Sequence, residues 1–181
     1  MSLINSLKII MKLISLVIAF GMIVAISPVN AESVRSNNEI QSRIHEIASG
    51  LAIGQKYVSQ YSGVIYQHAL AYHIDPDWIK AIIMVEAIRP HSDTENRIPP
   101  TGIDSTKWVG LDGVSVEQFS NVDTNIRLCA LLLQRIRDRI LENKRSFSLV
   151  ASLYDNIETT TVSQYGLKAE KVFKEKWWLK Q

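Results

Sequence analysis

One stretch constrains this chain more than any other. Residues Asp75 to Pro90 read as a helix with both ends written into the sequence. Asp75 suits the N-cap, where its carboxylate accepts a first-turn N–H. Pro76 suits the first helical position because its missing donor would be unpaired there in any case, and Asp77 complements the positive end of the dipole. Pro90 closes the helix, since it pushes Arg89 toward extended geometry. Between these ends Ile79, Ile83 and Glu86 recur on one stripe, widened by Trp78, Ile82 and Val85. An acid is thus aimed inward at the negative end of a helix. Apolar surroundings and the dipole both push such a carboxyl upward, toward the protonated form that a general acid needs near neutral pH. The plainer alternative is a carboxylate that turns to solvent or pairs with an arginine such as Arg89.

The chain opens with Lys8 and Lys12, then an apolar run to Ile26, a Ser27-Pro28 break and the small-residue pattern Val29-Asn30-Ala31. This predicts a signal peptide over 1–31, cut near Ala31, and an exported protein that is periplasmic or secreted. The competing expectation is an uncleaved anchor, because the run approaches the ~20 residues that span a bilayer; only then would the membrane be a partner. Two of the 20 basic residues lie in 1–31, which hold no acid, so 18 basic then face 18 acidic residues. A near-neutral chain argues against nucleic acid, whose binding requires many neutralised phosphates. What remains after residue 31 suffices for one domain with a core. Cys129 is the single cysteine. It has no internal partner and reads as a small buried apolar residue.

Read in order, Ile40, Ile44, Ile47 and Leu51 predict a helix capped by Asn37 or Asn38, which Gly50 and Gly54 end or bend before Tyr57. Ser62 is expected to cap a second helix, carrying Ile65, Tyr66, Ala69 and Leu70. The helix that ends in Glu86 follows. From 91 to 121 the helical period vanishes among Pro99, Pro100, Gly102, Gly110 and Gly113. Trp108, Val109, Leu111, Val114, Val116 and Phe119 are too apolar for disorder. The stretch therefore predicts an ordered excursion lining a groove, with a short strand or turn pair over 108–116. Asn121 or Asp123 opens the longest helix, with Ile126, Cys129, Ile136 and Ile140 inward and Arg127, Arg135, Arg137 and Arg139 on its other faces. Ser146 caps the next. Thr161 or Ser163 starts the last, with Val162, Tyr165, Ala169, Val172 and Phe173 inward. The expected class is all-α, mainly helical with a long groove loop and room for a short β-ribbon.

His45, His68, His73 and His91 show no paired ligand spacing, so no metal site is expected. There is no phosphate-binding glycine loop and no nucleophile elbow. Carboxylate chemistry is the catalytic reading left, and it needs no cofactor.

The order of these features resembles the lysozyme-like fold of soluble lytic transglycosylases. The features are an Asp-Pro helix ending in an inward Glu, a glycine-containing groove loop, a long helix opened by Val122-Asp123-Thr124-Asn125-Ile126, then Ala151-Ser152-Leu153-Tyr154-Asp155-Asn156 and a Tyr165-Gly166 segment. The resemblance implies a transglycosylase domain over 62–178 after an N-terminal helical extension over 32–61. It makes Glu86 the acid and base that cleaves the N-acetylmuramic acid to N-acetylglucosamine bond of peptidoglycan, with Tyr154 holding the glutamate and Tyr165 on the far wall. Trp108, Asp112, Gln118 and Asp155 fall at substrate-binding positions. The chain departs from the family's pattern at Ala87, usually Ser, at Gly110-Leu111-Asp112-Gly113, usually Gly-Leu-Met-Gln, and at Asp155, usually Asn. A hydrolytic lysozyme route would use a second carboxylate, for which Asp104 and Asp112 are candidates. The alternative from another class is an inactive exported lysozyme-like module that binds glycan or an envelope or secretion partner.

Overall fold

The computed structural model describes residues 37–90 and 96–180. The expected signal peptide over 1–31, its expected cleavage position, the lead-in that follows and His91 lie outside the described residues. The chain divides at Gly50, and residues 50–180 form one compact unit. The fold is mainly helical. Helices α1 (Asn37–Gln60), α2 (Ser62–Ala71) and α3 (Pro76–Ala87) are followed by a two-stranded ribbon, β1 (Arg97–Ile98) and β2 (Ile103–Asp104). Helices α4 (Val122–Arg139), α5 (Phe147–Asp155) and α6 (Gln164–Glu175) complete it. Among the described residues no helix is long and apolar enough to cross a membrane.

The centre is α3. Asp75 caps it as its sequence predicts, accepting the Asp77 N–H at 2.8 Å. The residues from Ile79 to Val85 are buried without exception, Lys80 among them. The expected stripe is therefore a whole circumference, and α3 is a core helix rather than an amphipathic surface helix. Lys80 keeps its charge satisfied by Asp77 Oδ1 at 2.7 Å and lies over the Tyr66 ring. Helix α6 packs against α3 and α5, and α4 against α2 and α5. Gly166 permits the α5–α6 approach, since a Cβ there would lie 2.1 Å from both Ser148 O and Ser152 Oγ.

Several local expectations are corrected by packing. Gly50 and Gly54 do not break α1, which runs on to Gln60. They face α3, where a Cβ on Gly50 would meet Ala87 O at 2.1 Å and one on Gly54 would meet Met84 Sδ at 2.9 Å. Missing side chains here mark a close helix crossing, not a helix end. Ser62 does not cap α2. The N-cap is Tyr61, without a side-chain cap, because the backbone turns directly from α1, with Tyr61 N bonded to Tyr57 O and Ile65 N to Tyr61 O. Tyr66 and Leu70 point outward on α2, as does Val162 ahead of α6. The caps of the remaining helices are Asn121, Ser146 and Ser163, each accepting a first-turn N–H.

The ribbon lies earlier than 108–116. Arg97 pairs with Asp104 and Ile98 with Ile103, and the Pro99-Pro100-Thr101-Gly102 turn between them closes with Gly102 N on Ile98 O at 3.0 Å. Prolines at the tip owe no ladder hydrogen bond, so they end neither strand. In 108–116, by contrast, Gly110, Asp112 and Gly113 all take positive φ and wind the chain into short 3-10 turns.

Candidate functional site

Glu86 occupies the last turn of α3, placed there by a cap three turns earlier. Its side chain is 5 % exposed. Arg89, three residues on, grips the carboxylate with two bonds, Nε to Oε2 and Nη2 to Oε1, both 3.1 Å. Arg97, from β1, adds Nη1 to Oε1 at 3.3 Å. The same two arginines each bring an Nη2 to 2.6 Å from one oxygen of Asp155, at the end of α5. Two guanidiniums and two carboxylates thus close a ring drawn from α3, the ribbon and α5. Tyr165, from α6, is buried with its ring 4.9 Å from the Arg89 guanidinium carbon. Its hydroxyl faces Glu86 but makes no hydrogen bond of good geometry.

Burial pushes the Glu86 carboxyl above the ordinary 4.5, and the Arg89 and Arg97 charges oppose that rise without cancelling it. Arg89 is itself raised: burial works against its charge, but Glu86, Tyr165 and Asp155 outweigh burial. The Tyr165 hydroxyl is held far above its usual range by burial and by Glu86.

The roof over Glu86 is Gly102, at φ +66, where a Cβ would lie 2.1 Å from Oε2. Only glycine fits there. The roof hangs on Thr101, whose N–H and hydroxyl both donate to buried Asn125 Oδ1, at 3.1 and 2.6 Å. Asn125 Nδ2 donates to Ile98 O and Phe119 O in turn. Tyr154 donates from its hydroxyl to Thr101 O at 2.9 Å. The motif asparagine of α4 and the motif tyrosine of α5 therefore both hold the ribbon turn, and through it the glutamate.

Two spaces meet at this site. A recess of about 250 Å³ has Glu86 in its wall with Ile53, Tyr57 and the two prolines. A larger groove of about 870 Å³ runs past Arg89, Trp108, Arg139 and Asp155. Arg97 and Gly102 line both, so they form the partition between them.

Of the residues the sequence singled out, Glu86, Asp155 and Tyr165 come together, Tyr154 joins them through Thr101, and Trp108 lines the groove. Gln118 and Asp112 do not reach the site. Gln118 is exposed and caps its own turn by accepting the Ser115 N–H at 2.9 Å, while Asp112 is exposed and paired with Arg127. Asp104 lines the groove, but its Oδ1 is occupied by the Thr106 N–H and hydroxyl, at 3.0 and 2.6 Å, as in a turn acid. Buried His68 pairs with Asp123 at 3.1 Å, and no cluster among the described residues could hold a metal ion. Sequence reasoning missed Arg97 and the Gly102 roof. Their only local signal is a glycine and a cation flanking a Pro-Pro pair.

No family model matches this chain, and neither does any curated protein or solved structure.

Proposed function

We propose that this chain is an exported, lysozyme-like module that binds glycan strands of peptidoglycan and, in the conformation described, leaves them uncut. The observation that carries the reading is the position of the Glu86 carboxylate. It is gripped by Arg89 and Arg97, roofed by Gly102 and separated by that partition from the groove large enough for a glycan. A general acid must come within hydrogen-bond reach of the oxygen it protonates. The lysozyme-like assignment rests on the sequence resemblance. It is supported by the inward glutamate closing the central helix and by Asn125, Tyr154 and Tyr165 converging on it from three further helices. Trp108 offers the groove an aromatic face for sugar rings.

A second reading, lytic transglycosylase, is favoured by one observation: burial outweighs the arginines and raises Glu86. In that reading protonated Glu86 donates to the glycosidic oxygen. As carboxylate it then takes the proton of the attacking hydroxymethyl group, giving an anhydro sugar. Purified peptidoglycan incubated with the protein and with its Glu86→Gln variant separates the two readings. The module reading expects both proteins to sediment with the sacculi and neither to release muropeptides. Anhydro products from the wild type alone would replace it with the transglycosylase. Absence of sedimentation would remove peptidoglycan and leave an envelope or secretion protein as the partner.

A further inference from the structure

The partition between recess and groove depends on one side chain. Arg97 spans it: Nη1 reaches Glu86 Oε1 at 3.3 Å and Gly102 O at 3.2 Å, while Nη2 reaches Asp155 Oδ1 at 2.6 Å. At 12 % exposure it has little water to fall back on, so these partners hold it. Glu86 and Asp155 belong to helices and Arg89 follows α3 by two residues, hydrogen-bonded back to it through its N–H on Glu86 O, whereas Arg97 sits on a two-residue strand and can withdraw without unwinding any helix.

We infer that Arg97 is a lock on a latent glycosidase activity, keeping the Glu86 carboxyl shut in the recess until the guanidinium is withdrawn and the recess opens into the groove. The inference rests on the glycan reading above and adds to it an activity and the residue that suppresses it.

Charge counting supports the same conclusion. With Arg97 in place, two guanidiniums face two carboxylates. Without it, Glu86 and Asp155 share Arg89 alone, and two carboxylates at one cation favour protonation of one of them. The proton goes to the less solvated group, and Glu86 is 5 % exposed against 20 % for Asp155. The Tyr165 hydroxyl from α6 and the Cys129 thiol from α4 also face Glu86 and do not compete for a charge, both being held protonated by burial. Tyr57 of α1 lines the same recess. Glu86 then passes its proton to the glycosidic oxygen. The bond from the sugar carbon to that oxygen breaks, and its electron pair stays on the oxygen, which leaves as a hydroxyl. The cationic carbon is closed by the sugar's own hydroxymethyl oxygen or by water, and the proton displaced from that oxygen returns to the carboxylate. Glycan and water are the only reactants needed.

The test is a gain of function. Arg97→Gln, and Arg97→Met as a variant that keeps the stem's bulk, are incubated with purified peptidoglycan. Release is read by mass spectrometry and binding by sedimentation, with circular dichroism confirming the fold. Release should rise about tenfold or more over wild type, fall again when Glu86→Gln is added, and stay low in Arg97→Lys, which keeps the charge; anhydro or reducing-end products support the lock equally. Independently of substrate, carboxyl carbon-13 titration should move the Glu86 midpoint upward by about one unit or more in Arg97→Gln. A folded Arg97 variant that sediments with peptidoglycan yet releases nothing overturns the lock, as does wild-type release equal to that of the variants. If no protein sediments, the glycan reading fails and takes the lock with it, whereas an unmoved midpoint in proteins that do sediment overturns the lock and leaves the glycan reading standing.

Discussion

Gly102 lies against Glu86 so closely that a Cβ on the glycine would stand 2.1 Å from Glu86 Oε2. The carboxylate cannot retreat, because Arg89 and Arg97 hold it from the other sides. Gly102→Ala therefore meets both a left-handed backbone and a pinned neighbour. Its expected cost is about 3 kcal/mol in a urea unfolding titration, combining the positive-φ penalty with overpacking. A loss within a few tenths of a kcal/mol would mean that Glu86 swings aside freely.

Asn125 is fully buried and uses both ends of its amide, accepting two bonds from Thr101 and donating to Ile98 O and Phe119 O. Asn125→Ala takes the acceptor from the Thr101 N–H and hydroxyl and the side-chain donor from Phe119 O, while Ile98 O keeps the Gly102 N–H. A destabilisation of about 3 kcal/mol is expected. Faster amide exchange should be confined first to the ribbon turn and the 3-10 turn that holds Phe119. Uniform acceleration across all helices would show that Asn125 serves the core in general and not the roof over Glu86.

How much of this was legible beforehand follows from the range of each interaction. Asp75, Ser146 and Ser163 bind N–H groups two or three residues away, so their sequence neighbourhoods suffice to place three helix starts. The inward aim of Glu86 follows from helical period, and its pairing with Arg89 from the i, i+3 spacing that was the plainer alternative. Arg97 reaches Glu86 across a sequence separation of 11 and Asp155 across one of 58, and no period connects them. Gly50 shows a different ambiguity. The absence of a side chain looks locally like a helix breaker, and only the carbonyl of Ala87 reveals it as a contact. Gln118 and Asp112 matched by analogy with a loop motif, but this loop coils into 3-10 turns that spend Gln118 on the Ser115 N–H and leave Asp112 paired with Arg127 of α4.

Cys129 is fully buried on α4, and its thiol is pushed up to about 12 by burial. At pH ~8 the folded protein should hold essentially no thiolate and should resist a disulfide reagent until it opens, since the thiolate is the reactive form. The rate of labelling should therefore rise with urea in step with global unfolding. Rapid labelling in native buffer would place Cys129 on a face that opens locally.

The pH dependence of stability decides whether burial or ion pairing governs Glu86. Its folded carboxyl is raised above 4.5 by burial, with Arg89 and Arg97 in partial opposition. Between 4.5 and the raised value the folded state binds more protons than the unfolded one, so stability falls as pH rises through that window. Below the window both states are protonated and the contribution is fully present; above it the contribution has been lost. Glu86→Gln mimics the protonated acid and removes the titration. The variant should match the wild type near pH ~4 and gain on it as pH approaches ~7, in urea titrations at intervals between. The opposite trend, with the wild type gaining on the variant as pH rises, would mean that the two guanidiniums overcome desolvation and that Glu86 is a structural carboxylate. A glutamate of that kind holds the ribbon turn to α3, and no withdrawal of Arg97 would make it an acid.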